Sequence, residues 1–480
     1  MNRCSGSESA NIFNGGLWPG TQAIAYICRV KSKRLHNRFL CLLLFFFSAV
    51  SYLHAAETDT KAKPEKVQEQ AVDRETNASE DPMEATTSEI KDKDKPAEVQ
   101  EQAVDRETNA DEDPLDSTVS DIQDKPPFYI HKDHTSFGYY ASVRTRYTQT
   151  GNEGALNDGG SRAGINAEFQ FRPKFWVLGR AEVGFNIFDT VNNLLGGSNR
   201  LGTGDEKVSA RLLYAGLQTS NTTATFGKNW SSYYQVSGIT DRFASFGGDA
   251  SGTYNALTDG GPTGTGRADG VLQGRFSIKA PWKFLDLQPF KLNVQVQDGQ
   301  TIPQAGGEDY GYTLGLSALL LSTSEKFIGI AYNQASVDKD NLPALAQYGI
   351  HGDAKALTIG TRRFGDKYYV GTNISRLENH ETSDAGHYFD GWGWELFSSY
   401  NVSNRWWVVG GWNILEPDSK QPLVGDYRIR YGVIGLRYTF DQFNRMVYTE
   451  IRLDNSLAED GTRPGNTYTV GLRWAFPRSQ

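Results

Sequence analysis

The chain has 480 residues and a formal net charge of −8, from 49 lysines and arginines against 57 aspartates and glutamates. The charge is distributed unevenly along the chain. Residues 1–56 carry six basic residues and one acidic residue, and residues 57–127 carry nine basic and 22 acidic residues. In residues 128–480 the basic and acidic residues are equal in number. This distribution excludes a single uniform globular domain. The lack of a basic surface field also excludes a nucleic-acid-binding protein, so no nucleic acid is expected among its partners.

The first segment, residues 1–56, predicts an N-terminal signal region, with the signal peptide at about residues 30–56. A basic run, Lys31–Arg38, precedes twelve apolar residues, Phe39–Val50, and the small pair Ala55-Ala56 follows. This is the layout of a secretory signal. The apolar run is shorter than the roughly 20 residues that a helical membrane span needs. All three cysteines precede the predicted cleavage site, so the mature chain is not a disulfide scaffold.

Residues 57–127 form an acidic segment that contains no glycine, phenylalanine, tryptophan or tyrosine. Such a segment cannot bury enough apolar area to offset its conformational entropy, so we expect a solvated spacer in the periplasm. Val67–Pro82 reads VQEQAVDRETNASEDP and Val99–Pro114 reads VQEQAVDRETNADEDP, which is a repeat with a period of 32 residues. The alternative is a short helical segment that assembles if the neighbouring domain is oligomeric.

Residues 128–480 alternate apolar and polar side chains over short runs. In 162–172, for example, Ile165 and Phe169 fall on one face and Glu168 falls on the other. A period of two predicts β-strands. Most runs have the roughly 9–11 residues of a tilted membrane strand, which favours a membrane barrel over a water-soluble sandwich.

The third segment therefore predicts an all-β fold, a 16-stranded antiparallel transmembrane β-barrel. The connections alternate between short turns, such as 220–221, and long loops, such as 229–269, which is typical of outer-membrane barrels. Aromatic residues near the strand ends, such as Trp406 and Trp474, predict interfacial girdles. The predicted strands are 138–148, 162–172, 175–185, 207–219, 222–228, 270–279, 290–297, 310–320, 327–334, 354–363, 367–376, 391–400, 406–414, 427–440, 445–454 and 467–476.

The longest loop carries a resemblance to a known family. Phe226–Asp249 reads FGKNWSSYYQVSGITDRFASFGGD and resembles the third loop of the general (non-specific) trimeric porins of Gram-negative outer membranes. A weaker resemblance extends over residues 138–476. Together, the two resemblances imply a third loop folded into the lumen of a water-filled channel, through which small hydrophilic solutes and ions diffuse passively. They also imply a homotrimer in outer-membrane lipid, assembled by the outer-membrane assembly machinery.

In that family, basic strand residues face acidic loop residues across a constriction. The first acidic loop position of the family is Asp241 in this chain, and the second is occupied by Ser245. We expect Asp249 to replace the missing carboxylate in part. A structural alternative is that the arginines only pair with wall acids such as Asp269. The resemblance assigns Arg162, Arg211, Arg267 and Asp241 to the constriction, with Lys228 as a further basic candidate. The predicted constriction residues also include Asp249, Trp230 and Tyr234, which lie near it in the sequence. Strand alternation places Glu168, Glu182 and Arg180 on the lumen wall.

Two other functions receive less support from the residues. The histidines after residue 57 all lie in predicted linkers or loops, and no Ser-His-Asp spacing occurs, so we expect neither an enzyme nor a cofactor. The mature chain has no cysteine and no histidine pair at helical spacing, so we expect no zinc site. A substrate-selective channel for sugars or anions remains the alternative, because Trp230 and Tyr234 lie near the predicted constriction. The chain also continues four residues past Phe476, whereas the family commonly stops at the aromatic residue.

Overall fold

The computed structural model describes residues 129–132, 134–188, 208–278, 290–323, 325–419, 421–441 and 445–476. The predicted signal peptide and acidic spacer lie outside the described residues. The described chain is almost entirely β-structure, as predicted. The strands are β1 (Tyr129–Lys132), β2 (Thr135–Thr150), β3 (Glu153–Asp158), β4 (Arg162–Arg172), β5 (Phe175–Phe185), β6 (Val208–Thr219), β7 (Thr222–Trp230), β8 (Arg267–Ile278), β9 (Phe290–Asp298), β10 (Tyr312–Ser322), β11 (Lys326–Ala335), β12 (Ala354–Gly365), β13 (Tyr368–Thr382), β14 (Tyr388–Ser403), β15 (Trp406–Pro417), β16 (Ile429–Asp441), β17 (Arg445–Asp454) and β18 (Thr467–Phe476).

These strands close into an antiparallel barrel of sixteen strands. Strands β3 and β4 both pair with β2 and form one barrel strand interrupted at residues 159–161. The last strand, β18, closes the barrel on β2, with Thr467 opposite Thr150 and Phe476 opposite Ala141. Strand β1 is an extra short strand that pairs with the start of β2. The predicted strand number and the closed antiparallel architecture are therefore confirmed.

Several strands extend beyond their predicted ends. Strand β13 continues to Thr382 and β14 begins at Tyr388, so the predicted loop 377–390 shrinks to 383–387. The reason is that apolar alternation marks only the part of a strand that faces hydrocarbon, whereas the backbone hydrogen-bond ladder can continue into water. Strands β5, β17 and β18 begin and end at the predicted residues.

The two faces of the barrel are inverted relative to a soluble protein. Large apolar side chains lie on the outside, such as Ile165, 48% exposed, and Val470, 55% exposed. Polar side chains lie inside and are buried, such as Glu182, 3% exposed, and Glu450, 0% exposed. A continuous exposed apolar surface around a polar interior is stable only where hydrocarbon replaces water outside.

An aromatic band crosses the strand ends that carry the short turns. Trp406 packs against Tyr438 with ring centroids 5.0 Å apart, and Tyr438 packs against Phe440 at 5.1 Å. Phe440 in turn contacts Trp474 at 5.8 Å. The described part of the chain contains no helix that is long and apolar enough to cross a membrane. The helical elements are short: α1 (Tyr234–Ser237), α2 (Leu342–Leu345) and a 3-10 turn (Ala346–Tyr348).

Candidate functional site in the barrel lumen

The connection between β7 and β8, residues 231–266, folds inside the barrel and is called the inner loop below. Its helix α1 packs on the inner face of the wall. Tyr233, Val236 and Ile239 are fully buried and contact wall residues that include Phe327 and Leu377. The inner loop therefore folds into the barrel, as the resemblance implied, and packs on one part of the wall through apolar side chains.

Glycines on the wall make this close approach possible. A Cβ atom at Gly360 would lie 2.8 Å from Ile239 Cδ1, and one at Gly393 would lie 1.6 Å from the Ala250 carbonyl oxygen. At Gly371 the corresponding distance to the Ile239 oxygen is 2.9 Å. No larger residue fits at Gly393 without moving the backbone of the inner loop. Inward-facing glycines on successive strands are the sequence signal for this docking surface, which was not predicted.

A buried carboxylate on β14 holds the middle of the inner loop. Glu395 is fully buried, and its Oε1 accepts hydrogen bonds from the backbone N–H groups of Ala250, at 2.8 Å, and Ser251, at 3.0 Å. Its Oε2 accepts from the Thr240 hydroxyl and from Asn373 Nδ2, the latter at 3.4 Å. The carboxylate therefore satisfies backbone donors that would otherwise be buried without a partner.

A second buried carboxylate, on β17, holds the loop tip in the same way. Glu450 accepts from the backbone N–H groups of Ala244, at 2.8 Å, and Ser245, at 2.9 Å. Arg437 Nη2 lies 3.0 Å from Glu450 Oε1 and offsets the buried charge. Neither Glu395 nor Glu450 was predicted as a site residue, because a lone inward glutamate does not reveal that a loop comes to meet it.

The tip of the inner loop reaches strand β2. Arg146 Nη1 donates to the Ser245 carbonyl oxygen at 3.4 Å, and the Ser245 hydroxyl lies 3.2 Å from the Tyr448 hydroxyl. Gly247 and Gly248 follow with φ angles of 90° and 81°, which glycine adopts without strain. The loop thus extends across the lumen from β7 as far as β17 and β2, the two neighbours of the closing strand β18.

Three of the predicted basic residues surround one acid on the opposite wall. Glu182 Oε1 lies 2.7 Å from Arg211 Nε and 3.9 Å from Arg162 Nη1. Arg180 Nη2 lies 3.3 Å from Glu182 Oε2, and the Tyr140 hydroxyl also donates to it. The structure therefore brings Arg162, Arg180, Arg211 and Glu182 together in one cluster.

Arg211 reaches this cluster because its strand carries a β-bulge. Glu182 is opposite Leu212 and Val183 is opposite Ala210, so Arg211 is the extra residue of the pair. Strict alternation from the exposed Leu213 would turn Arg211 outward, and the bulge re-aims it. This turn of the backbone could not be read from alternation alone.

The other two predicted basic residues form a separate cluster at the root of the inner loop. Asp259 Oδ2 lies 3.1 Å from Arg267 Nε and 3.2 Å from Lys228 Nζ. Lys228 also pairs with Asp269. Burial on its own would raise the pKa of Asp259, but the positive charges of Arg267 and Lys228 outweigh it and lower that pKa below its usual value of 3.8.

We expect Asp259→Asn to destabilise the barrel at neutral pH and to have a smaller effect in acid. Because the folded-state pKa is depressed, the stabilisation is present above the ordinary carboxyl pKa and is lost as the pH falls through the folded value. The measurement is the thermal unfolding of both proteins in detergent between neutral pH and pH of about 3. Asp340→Asn, at an exposed loop position, is the matched control. An equal destabilisation at every pH would contradict the ion-pair explanation.

The predicted acidic residues lie on the inner loop. Asp241 Oδ2 accepts hydrogen bonds from the hydroxyls of Tyr254, at 2.6 Å, and Tyr234, at 3.0 Å. Asp249 Oδ2 accepts from the Tyr431 hydroxyl at 2.5 Å and lies 3.9 Å from an Arg452 nitrogen.

The remaining predicted residues differ in exposure. Trp230 and Tyr234 stack with ring centroids 3.8 Å apart and are largely buried, whereas Glu168 is exposed on the inner face of β4. Within the described ranges, no group of three or more histidine, cysteine, aspartate or glutamate residues is placed to hold a metal ion.

Comparison with solved structures identifies the fold. OmpF of Salmonella typhi, solved in complex with daunomycin, superimposes with a TM-score of 0.57 at 17% identity, covering 73% of this chain and 100% of that chain. The outer membrane channel DcaP of Acinetobacter baumannii gives a TM-score of 0.51 at 13% identity, covering 72% and 99%. The fold is that of the outer-membrane porins.

An anion-selective porin from Comamonas acidovorans has the same fold, with a TM-score of 0.50 at 13% identity over 71% of this chain and 100% of that chain. No protein-family model and no curated protein sequence matches the chain. At these identities the likeness extends to the barrel architecture. The roles of individual side chains therefore have to be argued from their own contacts.

Proposed function

We propose that the protein is an outer-membrane porin, a water-filled channel through which small hydrophilic solutes and ions diffuse down their gradients. The observation that carries the proposal is a barrel with an apolar outer face and a polar interior, whose lumen is narrowed by the docked inner loop. An apolar outer face needs hydrocarbon, and a wall of charged and polar side chains needs water. The inner loop is held on that wall by Glu395 and Glu450, so it forms a fixed constriction of the lumen.

The proposal includes the signal peptide and spacer that the sequence predicts, and the trimer and assembly route that the resemblance implies. Residues of about 30–56 direct export, residues 57–127 form a periplasmic spacer, and the barrel assembles as a homotrimer in outer-membrane lipid. Phe476 ends β18 opposite Ala141, where the assembly machinery would meet the last strand. No catalytic step and no cofactor are part of this function.

A general channel fits the aromatic residues better than a sugar-selective one. A sugar-binding slide needs aromatic faces open to the lumen, as carbohydrate stacking requires. Trp230 is 8% exposed, with Tyr234 stacked on its ring and the Arg267 guanidinium 5.5 Å from its centroid. Tyr233 is fully buried and donates its hydroxyl to the Ser251 carbonyl. These rings therefore serve loop packing.

We expect purified protein in planar bilayers to give discrete ohmic conductance steps. Under a salt gradient, Asp241→Asn should shift the reversal potential toward lower cation permeability, because it removes a negative charge from the constriction. Arg211→Ser should raise the conductance, because it removes a bulky side chain from the lumen. Asp340→Asn, on an exposed loop, is the control and should change neither value. Absence of conductance from correctly folded protein would overturn the proposed function. Unchanged currents in both Asp241→Asn and Arg211→Ser would contradict the assignment of these residues to the constriction.

A further inference from the structure

A ladder of aromatic side chains connects the root of the inner loop to Asp241, one of the acidic residues of the loop. The Arg267 guanidinium lies 5.5 Å from the Trp230 ring, and Trp230 stacks on Tyr234 with an interplanar angle of 13°. Tyr234 and Tyr254 then both donate to the same oxygen, Oδ2 of Asp241. The ladder packs on Leu212 of β6, which is almost fully buried. Every step from Arg267 to Asp241 is therefore a direct contact.

The two hydroxyls are matched to a charged carboxylate. A tyrosine O–H is a donor at the pH at which a porin works, and a carboxylate oxygen accepts two such bonds. Burial, and then the charge of Asp241, raise the pKa of Tyr234 and of Tyr254, so both phenols keep their protons. No described residue forms an ion pair with Asp241. Its charge is thus held by neutral hydroxyl donors and not by an ion-pair partner.

This differs from Asp249, the other predicted acidic residue of the loop. Asp249 also accepts from a tyrosine, Tyr431, but an Arg452 nitrogen lies 3.9 Å from the same oxygen and offsets its charge. A carboxylate paired with an arginine contributes less field to the lumen than one that is fixed at a defined place by neutral hydroxyls.

We propose that Tyr234 and Tyr254 are positioning residues that fix the Asp241 carboxylate and thereby set the cation permeability of the channel. The inference rests on the proposed function and assigns ionic selectivity to one carboxylate and its two donors. Without the hydroxyls, the Asp241 side chain is free to rotate about its χ angles, so its charge no longer stands at one place in the lumen.

The test is a double-mutant cycle on reversal potentials in planar bilayers under a KCl gradient. Tyr254→Phe and Tyr234→Phe should each shift the reversal potential in the same direction as Asp241→Asn, by a smaller amount. The variant with both substitutions should shift it further. In the Asp241→Asn background, neither substitution should add a shift, because the group that the hydroxyls position is gone.

The matched control is Tyr233→Phe, which removes a buried hydroxyl from the same loop without touching Asp241. It should leave the reversal potential unchanged. Equal shifts from Tyr233→Phe and Tyr254→Phe, or shifts that persist with Asn at position 241, would overturn the inference and indicate a general loosening of the loop. If the wild-type channel conducts and no tyrosine variant alters its selectivity, the inference fails while the proposed function stands. If the folded wild type does not conduct, the proposed function itself fails.

Discussion

Glu395→Ala is expected to release the inner loop from the barrel wall and to widen the lumen. Glu395 is fully buried and accepts from two consecutive backbone N–H groups, of Ala250 and Ser251, and from the Thr240 hydroxyl. Each buried donor left without a partner costs about 1–3 kcal/mol. We therefore expect several kcal/mol less favourable packing of the loop, a higher single-channel conductance and more current noise.

The measurement is single-channel recording, combined with thermal unfolding in detergent. Glu416→Gln is the control, because Glu416 pairs with Arg430 at the exposed end of β15 and does not contact the inner loop. Glu395→Gln is a second informative variant, since it keeps the size of the side chain but loses the charge and replaces one of the two acceptor oxygens by an amide donor. A conductance for Glu395→Ala equal to that of the wild type would show that the loop stays docked without this carboxylate.

The second large effect is expected from a charge on the outer face of the barrel. Val470 lies in the central part of β18 and is 55% exposed. An arginine on the lipid face near the bilayer midplane costs about 2–4 kcal/mol. Val470→Arg should therefore lower the free energy of unfolding in phospholipid vesicles by that amount, and it should slow membrane assembly.

The neighbouring lumen position supplies the control for this prediction. Thr469 points inward and is 1% exposed, so Thr469→Ser changes the interior and leaves the lipid face intact. Val470→Leu keeps the outer face apolar and should behave as the wild type. Denaturant titration of vesicle-folded protein, followed by tryptophan fluorescence, measures all three variants. An equal stability for Val470→Arg and Val470→Leu would contradict the assignment of this face to lipid.

The sequence by itself determined the fold class and the strand number. Alternation has a period of two residues, which is the period of a strand, and a barrel in lipid exposes one face to hydrocarbon over its whole height. That is why all sixteen predicted strands occur and why β5, β17 and β18 begin and end at the predicted residues. Where strands leave the hydrocarbon, as β13 and β14 do near residues 383–387, the sequence pattern stops before the backbone ladder does.

The grouping of the charged residues was decided only by the tertiary structure. Arg162, Arg211 and Arg267 were predicted as one set, but Arg211 and Arg162 meet Glu182, whereas Arg267 pairs with Asp259 at the root of the inner loop. A one-residue bulge at Arg211 changes which face its side chain takes, and no periodic pattern encodes that. Glu395 gains its role because a loop distant in sequence brings its backbone N–H groups to the wall. The local sequence pattern determines which side chains lie on each face of a strand. Contacts between segments that are distant in sequence determine the partners of those side chains.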